Sequence, residues 1–199
     1  MTDVVGVIGG IGCGKSAVSA AFGRLGAQVL DADTLAHDVL ELSETKIALR
    51  REFGDEIFDE TGSLKRRDLA DLVFGPKKKD ALERLNQIVH PAVRIELDRG
   101  LEKARREAVP MVILDIPLLM NSRFKDECDH IIFVDVSRET RLTRVKSRKW
   151  SAEELDRRES SQLSLVEKKT AATLIIENEC SIEELELNVK TLYDQIVGS

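Results

Sequence analysis

A glycine-rich stretch at residues 9–16 constrains the fold more than any other feature of this sequence. It reads GGIGCGKS and follows the apolar run VVGVI, which predicts a buried strand of the length that parallel sheets use. Apolar residues recur with helical spacing over residues 17–25, and Gly26 then ends the predicted helix. A strand, a loop of the form G-x-x-x-x-G-K-S and a helix together indicate a phosphate-binding loop.

The residue types of this loop suit a nucleotide polyphosphate. Glycine lacks a Cβ, so Gly10, Gly12 and Gly14 let the backbone turn its N–H groups towards an anion. The positive end of the following helix points at the same place. We expect Lys15 to reach the β- and γ-phosphates and the Ser16 hydroxyl to bind Mg²⁺. A solvated glycine-rich turn is the alternative, but it does not account for the strand and helix on either side.

Composition favours one α/β domain and opposes a nucleic-acid partner. The chain has 199 residues, 42% of them hydrophobic, and no Pro/Gly/Ser-rich linker. This length is enough for one hydrophobic core with inserted subdomains. Its net charge of −6 lacks the surplus of cations that phosphate neutralisation requires. We therefore expect no nucleic acid among its partners.

The chain start and the cysteines predict a cytoplasmic protein. The opening MTDVVG has no signal-peptide pattern, and no later apolar run approaches the length of a membrane span. Cys13, Cys128 and Cys180 are widely separated and form no C-x-x-C pair, as in proteins of reducing compartments. Cys13 lies in the loop at a helix N-terminus, where a thiol pKa tends to fall. Inhibition by oxidation of Cys13 is therefore a hypothesis, beside the simpler one that a small residue fits there.

A second short strand, at residues 27–30, is followed by Asp31-Ala32-Asp33. Open α/β sheets bind ligands beyond the carboxyl ends of their strands, so these aspartates should face the same crevice as the loop. In a kinase, Asp33 could orient an acceptor hydroxyl and accept its proton. An aspartate before a helical run is also an ordinary N-cap residue.

Residues 44–106 are predicted to be mostly helical, with a tight turn at Thr61-Gly62-Ser63. Two later helices are expected, the second beginning at Pro91, since proline is favoured in the first turn. Arg66, Arg67 and His90 are candidate contacts to an acceptor that this segment would cover. A lone surface arginine or a histidine at a helix end is more often structural or solvated.

The apolar run MVIL at the end of residues 109–114 predicts a third strand, with Asp115 at its tip. An acidic residue there, in a chain with a phosphate loop, is typical of a Walker-B aspartate that holds Mg²⁺ directly or through water. A cap for the following turn is the alternative. Residues 130–134 predict a fourth strand.

Residues 137–149 form a basic segment in which Arg141, Arg144 and Arg148 are spaced three and four apart. A helix would place them on one face, which could close over a triphosphate as a lid because arginine binds phosphate bidentately. A solvated helix or a nucleic-acid patch is the alternative. Residues 151–170, polar and helical in tendency, would complete the lid.

The chain is predicted to end with a short fifth strand at residues 173–176 and one helix. Ser181 and Glu184 have the spacing of a capping box at the start of that helix. A three-four rhythm of apolar residues predicts the side that packs on the core. Its members are Ile182, Leu185, Val189, Leu192 and Ile196.

From end to end, the sequence resembles the dephospho-CoA kinase family, which transfers the γ-phosphoryl of ATP to the ribose 3′-hydroxyl of dephospho-CoA. The loop alone is common to many NTPases, whereas the other motifs are more specific. The matching pieces are GGIGCGKS, GAQVLDADTLA at residues 26–36, Gly62-Ser63-Leu64 with Arg66 and Leu69, Val73-Phe74, Leu85-Asn86 with Ile88, His90-Pro91, Asp115 with Pro117-Leu118-Leu119, and then Arg144, Arg148, Arg158, Gln162, Lys168 and Asn178.

This resemblance implies roles for several of the matching residues. Residues 12–17, which include Cys13 and Ala17, would wrap the ATP phosphates, and Asp33 would be the catalytic carboxylate. Arg144 would be the lid arginine that meets ATP, with Arg148 behind it. The acceptor side would consist of Arg66, His90, Pro91 and Leu118.

The chain departs from the family's usual residues at five positions. Ile8 and Ala17 stand where threonine is usual, Asn121 replaces glutamate, Arg141 replaces glutamine and Thr173 replaces aspartate. None of these changes affects Lys15, Ser16, Asp33 or Asp115.

The expected fold is an α/β P-loop kinase domain with a doubly wound parallel sheet of about five strands. The core would comprise residues 1–40, 108–137 and 171–199, the helical acceptor-binding insert residues 41–107, and the lid residues 138–170. ATP and dephospho-CoA are the expected substrates, and a monomer or weak homo-oligomer the expected state. Another P-loop small-molecule kinase and a non-catalytic nucleotide-binding switch remain alternatives.

Overall fold

The structure is a computed structural model that describes residues 1–75, 78–147 and 149–198 of the chain. The strands within this part are β1 (Asp3–Gly9), β2 (Gln28–Asp31), β3 (Met111–Asp115), β4 (His130–Asp135) and β5 (Leu174–Glu177). The α-helices are α1 (Lys15–Arg24), α2 (Ala32–Asp38), α3 (Ser43–Phe53), α4 (Arg66–Val73), α5 (Lys79–Arg106), α6 (Arg138–Lys146), α7 (Ala152–Glu159), α8 (Leu165–Ala171) and α9 (Ile182–Val197). Short 3₁₀ segments occupy Val39–Glu41, Asp55–Ile57, Leu119–Asn121 and Arg123–Lys125.

The five strands found in the described residues form one parallel sheet in the order β2-β3-β1-β4-β5. β1 is central and β3 is buried throughout, as expected of strands with apolar side chains on both faces. On one face, Val5 and Val7 of β1 pack with Phe22 of α1 and Val189 of α9. The predicted α/β class and the parallel sheet of about five strands are confirmed.

The chain divides into two compact units, Met1–Asp31 with Leu101–Ser199, and Ala32–Gly100. The second unit has its own buried cluster, which includes Leu49, Ile57 and Leu69. Its predicted tight turn is present, with Gly62 at a φ of +79°. The division into core, insert and lid that the sequence suggests stays a prediction.

The expectation of two later helices, the second starting at Pro91, is wrong. A single helix, α5, runs for 28 residues with Pro91 inside it. Proline cannot donate the backbone hydrogen bond at this position, which usually interrupts a helix. The apolar pattern continues on both sides, however, and Val89, Val93 and Leu97 are all buried, so packing along this face outweighs the missing bond.

The last helix begins as predicted, because Ser181 and Glu184 form a reciprocal capping box at the start of α9. Leu185, Val189 and Ile196 are buried in the core. Ile182, assigned to the same face from the spacing, is instead 70% exposed; it is the first residue of α9. None of the described helices is both long and apolar enough to cross a membrane.

Candidate active site

The phosphate loop joins the end of β1, Gly9, to the start of α1, Lys15. Gly12 and Gly14 have φ angles of +78° and +90°, a backbone conformation that side chains other than glycine rarely adopt. Gly14 precedes the helix, no side chain in the described residues caps it, and the first turn of α1 holds no acidic residue. The N–H donors and positive end of this helix are therefore available to an anion.

Side chains from α6 and from the residue after β5 form hydrogen bonds with the backbone of the loop. The side-chain nitrogen of Asn178 donates to the carbonyl oxygen of Cys13 at 2.8 Å. Arg144 donates to the same carbonyl at 3.0 Å and to the carbonyl of Asn178 at 2.7 Å. A contact of Arg144 with ATP stays a prediction, and the hydrogen bonds show that this arginine also fixes the shape of the loop.

Helix α6 also packs against the loop so closely that the glycines are needed for space. A Cβ on Gly12 would lie 2.9 Å from the Val145 side chain and 3.1 Å from the carbonyl oxygen of Arg141. A Cβ on Gly14 would lie 2.4 Å from the side-chain nitrogen of Asn178. The loop therefore needs glycine both for its dihedral angles and for the close approach of its neighbours.

Arg141 is not part of an exposed arginine face, contrary to the sequence interpretation. Its side chain is 4% exposed and forms an ion pair with Glu159 of α7. The charge of this carboxylate compensates that of the buried guanidinium. Glu159 also accepts a hydrogen bond from the backbone N–H of Ile11 at 3.3 Å. The pair thus ties α6 and α7 to the phosphate loop. Arg148, expected behind Arg144, lies outside the described residues.

A cleft beside the loop brings together residues from the loop, the segment after β3 and the predicted lid. Its lining includes Lys15, Leu118, Gln162 and Lys168. Lys168 is 7% exposed, and its ammonium donates to the carbonyl of Gly9 at 3.2 Å and to the side-chain oxygen of Gln162 at 2.7 Å. Burial, followed by the charge of Lys15, lowers the pKa of Lys168.

The two proposed Mg²⁺ ligands supply hard oxygen donors. Ser16 is exposed in the first turn of α1, while Asp115 ends β3 with 7% of its surface exposed. The hydroxyl of Ser19, in the next turn of α1, donates to the Asp115 carboxylate at 3.0 Å. A serine hydroxyl and one carboxylate fit Mg²⁺, which keeps several waters and takes its other ligands from nucleotide phosphates.

Cys13 does not have the lowered pKa expected from its place before a helix. The residue is fully buried, and this burial raises the pKa of its thiol, although the charge of Lys15 and a backbone hydrogen bond act in the opposite direction. A buried thiol with a raised pKa forms little of the reactive thiolate. The structure thus favours the simpler interpretation, a small residue that fits the loop.

Asp33 is the second residue of α2 and is exposed. The chain leaves the sheet two residues earlier, at Asp31, which is paired in register with Asp115 at the end of β3. Parallel strands end at a common edge, so Asp31 lies at the edge that carries Asp115 and the phosphate loop. Asp33 comes two residues later in the chain, in the second unit. Its catalytic role stays a prediction.

The expected acceptor residues fall in both units. In the second unit, Arg66 donates to the carboxylate of Glu41 at 3.1 Å, while His90 and Pro91 are exposed on α5. Leu118, in the first unit, lines the cleft and is 53% exposed. Their contacts with an acceptor stay predictions.

Three residues that contact the loop were absent from the predicted site: Glu159, Lys168 and Asn178. Asn178 directly follows β5, so the rule that ligands bind at the carboxyl ends of strands could have found it. Glu159 and Lys168 lie on short helices within a mostly polar segment. Lys168 is among the residues that match the family but was given no role, and no local pattern distinguishes Glu159 from a solvated residue.

These features define the class of protein. The central strand of a parallel sheet leads through G-x-x-x-x-G-K-S into an uncapped helix, which is the arrangement of a P-loop nucleotide-binding protein. Residues 3–184 match the family model for dephospho-CoA kinase. The chain belongs to the dephospho-CoA kinase family.

Relatives along the whole chain agree with this family. A dephospho-CoA kinase of Bacillus cereus is 38% identical over 194 residues, covering 96% of each chain. One from Rhodopirellula baltica is 38% identical over 200 residues, covering 100% of this chain and 93% of the relative. Among solved structures, a protein of Thermus thermophilus has a TM-score of 0.73 at 35% identity and covers 98% of each chain. The fold also matches a Campylobacter jejuni dephospho-CoA kinase, with a TM-score of 0.77 at 24% identity, covering 100% of this chain and 99% of the other.

Proposed function

We propose that this protein transfers the γ-phosphoryl group of ATP to the ribose 3′-hydroxyl of dephospho-CoA, giving coenzyme A and ADP. Membership of the dephospho-CoA kinase family along nearly the whole chain carries this proposal. The uncapped, glycine-framed loop supports it, because phosphoryl transfer depends on positioning and charge stabilisation rather than on covalent chemistry by the protein.

The donor side would act through the loop and its neighbours. Backbone N–H groups of residues 12–17 would hold the phosphates, and Lys15 would bind the β- and γ-phosphate oxygens. Arg144 would keep the loop in shape through its bonds to Cys13 and Asn178 and would meet the nucleotide from the lid. We propose that Arg148 supports Arg144 in this role.

Ser16 and Asp115 would hold the Mg²⁺ that accompanies ATP. When bound, Mg²⁺ neutralises part of the negative charge on the phosphates. The hydrogen bond from Ser19 to Asp115 would orient the carboxylate, and Ser16 would present its hydroxyl from the first turn of α1.

On the acceptor side, Asp33 would orient the attacking hydroxyl and accept its proton. Arg66, His90, Pro91 and Leu118 would bind the acceptor. Arg66 is held by the exposed Glu41, a partner that it can exchange for an acceptor phosphate because exposed ion pairs are weak.

We further propose that the enzyme works in the cytoplasm, as a monomer or weak homo-oligomer that binds no nucleic acid. The net charge of −6 supports the last point. Cys13, Cys128 and Cys180 are free thiols, which suits a reducing compartment.

The deciding experiment measures ADP production with Mg²⁺ and ATP, with and without dephospho-CoA. Turnover that requires dephospho-CoA and disappears in Lys15→Ala is expected. Asp33→Ala should fold normally yet lose at least about a hundredfold in kcat, the scale of a general base or positioning residue. Asp38→Ala removes an exposed carboxylate from the same helix and is the matched control.

Two outcomes would contradict the proposal. Binding of ATP without acceptor-dependent turnover would exclude the kinase reaction with this acceptor. A near-normal rate in Asp33→Ala, or an equal loss in Asp38→Ala, would remove Asp33 from its catalytic role while leaving the reaction in place.

A further inference from the structure

Lys168 is a buried cation without a bound carboxylate among the residues that the structure describes. It is 7% exposed, and both of its hydrogen-bond acceptors, the carbonyl of Gly9 and the amide oxygen of Gln162, are neutral. A buried charge is costly unless an opposite charge compensates it. The charge of Glu159 compensates this cost only in part, since burial has the larger effect on Lys168, and a bound anion would reduce the cost further.

The surroundings of Lys168 indicate which anion that is. Its ammonium is bonded to Gly9, the first residue of the phosphate loop, and shares a cleft with Lys15. An ammonium has three N–H donors, and the two bonds above use two of them. Two lysines beside a loop that leads into an uncapped helix N-terminus suit an anion with more than one negative charge, such as a polyphosphate.

We propose that Lys168 is a second phosphate-binding lysine of the donor site, which contacts the polyphosphate of the nucleotide beside Lys15 and is held in place by Gln162. This inference rests on the proposed binding of ATP and adds a residue to that site. Because Lys168 lies on α8, the contact also couples the α6–α8 segment to the presence of phosphate.

The charge of Lys168 gives the proposal a pH dependence. The groups that act on it are Lys15 and Arg141, which disfavour its ammonium, and Glu159 and Cys13, which favour it, whereas burial has the largest effect and lowers its pKa. Bound phosphate stabilises the ammonium. Nucleotide binding should therefore weaken as Lys168 loses its proton in alkaline solution.

The test compares Lys168→Gln, Lys168→Met and Lys168→Arg with Lys169→Gln. Lys169 is the next residue of the same helix, but its side chain is 48% exposed and pairs with Asp135, so it is the matched control. The probes are a non-hydrolysable ATP analogue and tripolyphosphate, the second of which has no base or ribose. Affinities are measured by calorimetry over a range of pH, and thermal unfolding is recorded for each variant.

Lys168→Gln and Lys168→Met should weaken both probes by about ten- to a hundredfold, the worth of a charge-assisted hydrogen bond. Lys168→Arg should retain most of the affinity and lose the alkaline decline, since arginine stays charged. Lys169→Gln should bind like the wild type. Because burial of the ammonium is unfavourable, the melting temperature of Lys168→Met should be unchanged or higher.

Other results would overturn the inference in distinguishable ways. Normal affinity in Lys168→Gln, or an equal loss in Lys169→Gln, would exclude a phosphate contact by Lys168. A large fall in melting temperature in both neutral variants would assign Lys168 a structural role instead. If the wild type bound neither probe, the proposed ATP site itself would be refuted.

Discussion

The ion pair between Arg141 and Glu159 allows a quantitative prediction about the lid helices. Glu159→Gln removes the charge but keeps an oxygen that can accept from the Ile11 N–H. Breaking a fully buried pair costs about 3–5 kcal/mol, because the remaining charge has no compensation. The side chains of Arg141 and Glu159 are 4% and 22% exposed, so water reaches the glutamate side, and we expect a loss of about 2–3 kcal/mol.

Such a loss corresponds to a fall in melting temperature of about 4–12 °C, at 2–4 °C per kcal/mol for a chain of this size. Asp156→Asn is the matched control, since Asp156 lies on the same helix as Glu159 and its carboxylate pairs with Arg138 of α6. Both side chains of that pair are more than half exposed, so its screened interaction contributes little. Circular dichroism follows the whole fold, and the fluorescence of Trp150, the single tryptophan, follows the segment between α6 and α7.

Equal shifts in Glu159→Gln and Asp156→Asn would refute the reasoning, because burial would then make no difference. A double variant, Arg141→Met with Glu159→Leu, provides an independent check. Replacement of a buried pair by apolar residues is often neutral or stabilising, so this variant should recover most of the stability that Glu159→Gln loses.

Two further predictions concern the loop and the thiols. Gly14→Ala should lower the melting temperature and abolish binding of ATP analogues, because its Cβ would lie 2.4 Å from the nearest side-chain atom at a φ of +90°. Gly26 has a φ of +99° but open space around it, so Gly26→Ala tests the backbone strain alone and should lower the melting temperature less. An equal fall in melting temperature would contradict the packing argument. In the native protein at pH 8, a disulfide reagent should modify Cys180 first, since burial raises the pKa of Cys13 and raises that of Cys128 to about 12. Mass spectrometry identifies the modified residue. Rapid labelling of Cys13 would contradict its burial.

The strands and the phosphate loop could be predicted because their signals are local. Each strand is a short apolar run, and the glycines, Lys15 and Ser16 stand at fixed spacing between a strand and a helix. Asp115 was found in the same way, at the tip of a buried run. The course of the chain through Pro91 was not, because the burial of Val89, Val93 and Leu97 along the continuous helix is a property of the folded chain.

The support of the loop could not be predicted for the same reason. Basic spacing in α6 indicated a phosphate-facing set, but only the folded chain shows that Arg141 meets Glu159 and that Arg144 meets the Cys13 carbonyl. The spacing of residues on a helix defines a face, whereas the partner of that face depends on the tertiary fold.

The contacts that shape the loop also have a consequence for biosynthesis. The bond from Asn178 to Cys13 joins residues 165 positions apart, and β1 pairs on both sides with strands from the second half of the chain. A ribosome delivers about 5–20 residues per second from the N-terminus. The loop is therefore among the first parts to emerge and the last to mature, so a nascent chain stalled before residue 178 already carries the nucleotide motif but lacks the side chain that gives it its final shape.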